Sequence, residues 1–229
     1  MVGSAINARL LSAAELVRQN AIFADVGTDH AYLPLFLLSE GRIGFAYCSD
    51  INEGPLASAR RNAVERGMES KMDFILTDGA AALSGRGITD YAICGMGGEL
   101  ICDIISKAGQ LYDGEINLIL QPMSRQAILR KFLASEGFGV ISESYSYDAG
   151  KYYVCIQARY TGERREIDEI EAELGSPTAS YKNSEARLGY LTTLYNARVR
   201  AMEGKIKGGM ENPPEKPLID AINELRKSL

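Results

Sequence analysis

The sequence predicts an α/β fold: five parallel strand–helix units closed by one antiparallel hairpin, with a helical extension behind them. Three observations carry this. Between about residues 20 and 160, short β-rich apolar runs alternate with amphipathic helical patterns, and such repetition builds a mainly parallel sheet with helices on both faces. Only Asp148-Ala149-Gly150 separates the last two strand runs, a turn tight enough to force an antiparallel pair. After Tyr160 the alternation stops and helical periodicity takes over.

The N-terminal run MVGSAINARLLSAAEL is interrupted by Asn7, Arg9 and Glu15, which reads as an amphipathic helix rather than a signal peptide. The strand candidates are, in order, IFADVG (22–27), IGFAYCSDI (43–51), MDFILTD (72–78), DYAICG (90–95), INLILQ (116–121), FGVISESYSY (138–147) and KYYVCIQARY (151–160). Helical patterns lie between them, as in 54–67 and 124–137. The sheet domain is expected over 1–160 and a helical domain over 161–229. In the latter, Ile167, Ile170 and Leu174 mark a charged helix over 162–175, broken by Ser176-Pro177. A longer helix is expected over 180–209, with Leu188, Leu191, Tyr195, Val199, Met202 and Ile206 as its apolar stripe. Gly208-Gly209 ends it, Asn212-Pro213-Pro214 is a linker, and 217–229 forms a last short helix. The stripe reads as packing between these helices.

The chain of 229 residues is 46% hydrophobic and 24% charged, an ordinary globular composition. No apolar run nears the roughly 20 residues that span a membrane. Cys48, Cys94, Cys102 and Cys155 form no CxxC pair, so neither a disulfide framework nor a metal site is expected. A reducing cytoplasm and a monomer are the expectations. The net charge of −5 argues against a general polyanion binder, but segment 163–173 is net −4 and segment 181–207 net +4.

Ligands of parallel α/β sheets bind beyond the C-terminal strand ends. Here those ends are Asp25-x-Gly27-x-Asp29, Asp50 with Asn52, Asp78-Gly79, Gly95-Met96-Gly97-Gly98, and Gln121-Pro122. A turn cap at Asp25 or an Asx-turn at Asp78 would explain either acid as well as a ligand does. Five polar or glycine-rich ends on one edge are what single out a site. Gly27 lets the backbone turn tightly and approach a ligand. Asp50 is spaced to accept from ribose hydroxyls, and Asp78 can accept from an exocyclic amine. GxGxxG is missing after the first strand, which disfavours a dinucleotide. The acidic lining suits a cationic adenosine without phosphate, and S-adenosylmethionine meets each demand.

ADVGTDHAYLP, SDINEGPLASARRN, TDG, AICGMGGELICDII, LILQP and DAGKYYV occur in this order over about residues 5–160. Together they resemble the bacterial tRNA (adenine-N1)-methyltransferase family, often called TrmK, which modifies adenine-22. The resemblance implies a Rossmann-like class I methyltransferase sheet followed by a helical, coiled-coil-like domain. It implies S-adenosylmethionine as cofactor, S-adenosylhomocysteine as product and tRNA as partner. It matches Asp25, Gly27 and Asp29 to the first cofactor motif, and Asp50 to an acidic ribose ligand beside Asn52. Asp78 and Gly79 match the adenine turn, and Gly95, Met96 and Gly97 the motif beside the transferable methyl. Asp29, His30, Tyr32, Gln121 and Pro122 are then the candidate catalytic residues. This sequence has Met123 where many members have asparagine, and Tyr153-Val154 where many have an acidic residue.

Phosphate contacts to tRNA are expected from the basic 181–207 segment, with Arg60, Arg61 and Arg66 or with Arg125, Arg130 and Lys131. A methyltransferase for a small molecule or protein, and a non-catalytic nucleoside-binding interaction protein, are the alternatives.

Overall fold

A computed structural model describes residues 6–229, so the first five residues of the expected N-terminal helix lie outside the described residues. The described part of that helix is α1 (Ala8–Ala14), capped by Asn7, whose Oδ1 accepts the Leu10 amide at 2.8 Å. All seven expected strands form: β1 (Ala21–Val26), β2 (Ile43–Asp50), β3 (Met72–Leu76), β4 (Asp90–Gly97), β5 (Asn117–Ser124), β6 (Phe138–Asp148) and β7 (Lys151–Tyr160). An eighth, β8 (Ser180–Lys182), completes the order β3-β2-β1-β4-β5-β7-β6-β8. The first five strands run parallel, and β7 is antiparallel to both β5 and β6. The hairpin turns at Ala149 and Gly150, both at positive φ (47° and 82°), the backbone that matches strand twist in a two-residue loop.

Four helices cover the sheet: α2 (Tyr32–Ser39), α3 (Glu53–Glu65), α4 (Gly98–Lys107) and α5 (Gln126–Glu136). Ile93, Leu118 and Leu120 enter one core, with Ile101, Ile105, Leu129 and Leu133 from α4 and α5. Their strand neighbours Ala92 and Ile119 enter the other, with Leu35, Leu37 and Ala59 from α2 and α3. This alternation is what strands buried on both faces require. No helix among the described residues is long and apolar enough to cross a membrane.

The extension departs from expectation in three places. Of 162–175, only α6 (Glu169–Leu174) is helical. Residues 161–165 instead run along the end of α5, where Thr161 N donates to Gly137 O at 2.8 Å and Arg165 N to Ala134 O at 3.0 Å. The helix starts only at its cap, Asp168 Oδ1, which accepts Glu171 N at 2.8 Å. Residues 180–182 are not helical but pair as β8, parallel to Ser142–Ser144 of β6. The open edge of β6 satisfies backbone groups that the first turn of a helix leaves unpaired. Asn183 (φ 60°) then turns the chain into α7 (Ser184–Lys207), and α8 (Lys216–Ser228) comes last. The α7 stripe is core only in part. Leu191 is buried with Leu174, Leu218 and Ile222, whereas Leu188 and Ile206 are exposed.

A buried ion pair ties this region to the sheet. Arg130 Nε lies 2.7 Å from Glu143 Oε1 and Nη2 3.0 Å from Oε2. Nη1 donates to Ala172 O at 2.9 Å and Glu173 O at 3.3 Å, at the end of α6. The Tyr145 hydroxyl donates to Glu143 Oε2 at 2.6 Å. Burial, with Glu143 alongside, pushes that hydroxyl well up, so it remains a donor. Arg130 is therefore not the surface cation that its sequence position suggests.

Candidate active site

The sheet reverses its winding at β1, which pairs with β2 on one side and β4 on the other. The crevice beyond the C-terminal ends of β1 and β4 is the switch point where such sheets bind ligands.

Asp25, near the end of β1, is only 8% exposed. The Thr28 hydroxyl lies 2.7 Å from its Oδ2. Burial pushes the carboxyl up to about 6, the Thr28 bond pulls it down, and the Asp50 charge adds to the rise. The amides of Gly27 and Thr28 both donate to Ser49 O at 2.8 Å, so the loop folds back on β2. Gly27 has φ +80°, and a Cβ there would stand 2.0 Å from Met96 Cε. Met96 Cε is the flexible end of its side chain, so it is the positive φ that favours glycine where the β1 loop meets the β4 end.

Asp29, His30 and Tyr32 form an exposed cluster beside this turn. Asp29 Oδ2 lies 3.5 Å from His30 Nε2. The rings of His30 and Tyr32 stack with centroids 5.2 Å apart. Ala31 between them is left-handed (φ 55°), a conformation costly for a residue with a Cβ and concentrated at functional sites. Asn62 of α3 donates to His30 O at 2.9 Å and helps hold the bend.

Asp50 ends β2, and its Oδ1 accepts the Asn52 amide at 2.8 Å. Ile51 between them is 62% exposed, an apolar side chain left in water beside a carboxylate. Asp78 is exposed after β3, and Gly79 (φ +69°) stands against Ile104 of α4. At the end of β4, Gly95 (φ +79°) occupies a register shift between Cys94 and Met96, a bulge of the kind that re-aims a strand end. Gly97 caps α4, and a Cβ on Gly98 would meet Arg125 O at 2.5 Å. Gln121 and Pro122 are buried rather than open to the crevice, and Met123 is exposed at its rim. Gln121 Oε1 accepts both Gly95 N at 3.1 Å and Arg9 Nη1 at 2.6 Å.

Two residues of this region are not among those the sequence singles out. Ile51 carries a local signal, an apolar residue directly after a strand-end acid. Arg9 carries none, because 112 positions separate it from Gln121. A cavity of about 640 Å³ lies between α6, α7 and α8, lined by Leu174, Tyr181, Arg187 and Leu225 among others. None of the strand-end groups lines it.

The basic surface is partly neutralised within the fold. Arg198 pairs with Glu173, Lys205 with Glu215, Lys131 with Glu169, and Arg60 with Glu69. Arg200 and Lys207 remain exposed on α7.

A family profile described as a methyltransferase domain matches residues 6–156. The chain belongs to that methyltransferase-domain family. A tRNA (adenine(22)-N(1))-methyltransferase of Bacillus subtilis is 28% identical over 186 residues, covering 81% of this chain and 78% of that protein. The crystal structure of Streptococcus pneumoniae Sp1610, described as a candidate tRNA (m1A22) methyltransferase, contains S-adenosyl-L-methionine. It is 30% identical with a TM-score of 0.79, over 97% of this chain and 100% of that one. Mycoplasma capricolum TrmK, solved with S-adenosyl-homocysteine, is 27% identical with a TM-score of 0.73, over 97% of each chain. The resemblance read from DHAYLP, NEGP and GMGGELI is thereby borne out, as is the Rossmann-like fold.

Proposed function

We propose that this protein transfers a methyl group from S-adenosylmethionine to N1 of adenine-22 in tRNA, in the cytoplasm. The observation that carries this is likeness along nearly the whole chain, C-terminal helices included, to a 30% identical protein solved with S-adenosyl-L-methionine. Residues 1–160 hold the cofactor, and 161–229 contribute to the grip on tRNA.

The crevice fits an adenosine with a cationic tail. Gly27, at φ +80°, lets the β1 loop turn without a side chain where a ligand would approach. Asp25 is a buried carboxyl suited to a nearby positive charge. Asp50 accepts ribose hydroxyls, with Asn52 beside it, and exposed Ile51 offers the base an apolar face. Asp78 and Gly79 bound the adenine end, and Gly95, Met96 and Gly97 the tail. When bound, the cofactor supplies a sulfonium methyl, which the lone pair of adenine N1 takes in line without a general base. The acceleration then comes mainly from alignment. Asp29 accepts a hydrogen bond from N6 and stabilises the positive charge that grows on the base. Tyr32 and His30, already stacked on each other, offer it an aromatic face. N1 lies on the Watson–Crick edge, so the adenine must leave its stack first. Gln121 and Pro122 act from below the site.

The deciding experiment incubates the protein with labelled S-adenosylmethionine and unmodified tRNA, then identifies the labelled nucleoside after digestion. 1-Methyladenosine that disappears when adenine-22 is replaced is the expected result. Cofactor binding without label in tRNA would assign another methyl acceptor, and no cofactor binding would overturn the site itself.

Two sets of substitutions test the parts separately. Gly27→Ala is expected to weaken S-adenosylhomocysteine binding by at least about tenfold, read by calorimetry, because a side chain strains the loop at φ +80° and pushes the Met96 end out of place. Asp29→Asn and Tyr32→Ala are expected to lower turnover by about 10- to 100-fold while cofactor affinity stays within about threefold. Wild-type turnover in both folded variants would remove these residues from the mechanism.

A further inference from the structure

We infer that Arg9 is a positioning residue for this reaction, acting through Gln121 on the Gly95 bulge; the catalytic part of this inference rests on the functional reading above. Arg9 lies on α1, outside the five strand ends that form the crevice. Its Nη1 is 2.6 Å from Gln121 Oε1, and the same oxygen takes the Gly95 amide at 3.1 Å. Gln121 is fully buried, whereas Arg9 is half-buried and Gly95 exposed, so the two donors meet the amide oxygen at the edge of the crevice.

The chemistry of the amide makes Arg9 decisive. A guanidinium only donates, so it fixes which end of the Gln121 amide faces inward. Oε1 points toward Arg9 and Gly95, and Nε2 faces Pro122 O at 3.2 Å and Met123 Sδ at 3.7 Å. Without Arg9 the amide is held only by the Gly95 N–H at Oε1 and by Pro122 O and Met123 Sδ at Nε2. The bond from the guanidinium is charge-assisted and the stronger of the two at Oε1, so its loss weakens the anchor of the bulge. That bulge carries the chain to Met96, whose Cε lies against Gly27. The relay therefore links α1 to the contact between the β1 loop and the β4 end. Among the described residues Arg9 forms no carboxylate ion pair, and its guanidinium sits 6.0 Å over the Tyr153 ring at the tip of the β6–β7 hairpin. Its strongest polar partner is the Gln121 oxygen.

The test uses the full chain with Arg9→Ala, Arg9→Lys, Gln121→Ala and the Arg9→Ala/Gln121→Ala pair. Exchange of the Gly95 amide, resolved by nitrogen-15 NMR, reads the relay directly. Arg9→Ala is expected to speed it by about tenfold or more, the scale of a lost charge-assisted hydrogen bond, with Gly27 and Thr28 unaffected. Turnover on tRNA is expected to fall about tenfold with the KM for S-adenosylmethionine within about twofold, and Arg9→Lys to restore most of it. The double variant should be no slower than the slower single one, as expected of residues acting as one unit. Unchanged Gly95 exchange in Arg9→Ala, or losses that multiply in the double variant, would overturn the inference. If the wild type methylates no tRNA the functional reading falls, and Gly95 exchange still decides whether the relay exists.

Discussion

Arg130→Met is expected to lower stability by about 3–5 kcal/mol, the usual cost of breaking a buried ion pair from one side. For a chain of this length that is roughly 6–20 °C in melting temperature. The reason is what the substitution leaves behind. Glu143 would remain fully buried, with the Tyr145 hydroxyl still donating to it but no cation opposite. The carbonyls of Ala172 and Glu173 would also lose their donor at the end of α6. Adding Glu143→Leu to Arg130→Met is expected to recover the larger part of the loss, because an apolar pair of similar volume often replaces a buried ion pair at little cost. Chemical denaturation of the three proteins measures this. Equal stability of Arg130→Met and wild type would mean that the clamp contributes nothing to the fold.

Asp25→Asn is expected to move stability and binding in opposite directions. The Asp25 carboxyl stands at about 6 in the folded chain against an ordinary 3.8. The folded chain thus holds this proton more tightly than the unfolded one, so ionisation works against the fold. The penalty is absent below about pH 4, grows between about pH 4 and 6, and is complete above that, where it amounts to about 3 kcal/mol. Asparagine removes it. The variant should therefore be up to about 3 kcal/mol more stable than wild type at pH 7.5 and no more stable at pH 4. Its affinity for S-adenosylhomocysteine should nevertheless fall by about tenfold or more, because in the proposed site the variant lacks the buried carboxylate placed for the positive charge of the ligand. For the wild type, cofactor affinity should decline as pH drops through about 6, as the carboxyl takes up its proton. A less stable Asp25→Asn protein at pH 7.5 would show that the charge serves the fold rather than the ligand.

The strands are legible in the sequence because most are short apolar runs closed by glycine or an acid, and β5 by Gln121-Pro122. β7 has the expected bounds, and β6 extends one residue past its expected end to Asp148. The crevice is legible for the same reason, since its polar residues sit where those runs stop. The hidden features depend on partners distant in sequence. Ser180-Tyr181-Lys182 has no strand character of its own and becomes β8 because β6 has an open edge there. Residues 162–168 have helical spacing but lie against the end of α5. Arg130 reads as one of several surface cations of α5 until Glu143 stands opposite it. Gln121 reads as part of the pocket wall, and its burial and two donors place it one layer below. Periodicity reports which face of an element is apolar; it says nothing of which distant group will meet a given polar side chain.

The three residues of β8 carry a consequence for how this chain tolerates cutting and fusion. They shield Ser142, Glu143 and Ser144 of β6, a strand of 11 residues that would otherwise be the sheet's bare margin. An uncovered strand of that length is a template for pairing with another chain. A fragment ending at Tyr160 would lose this shield and expose the Arg130–Glu143 pair to solvent, although every residue of the crevice would still be present. The helical extension is thus also the sheet's hem: trimmed away, it leaves the strand-end crevice residues in place and a surface prone to self-association.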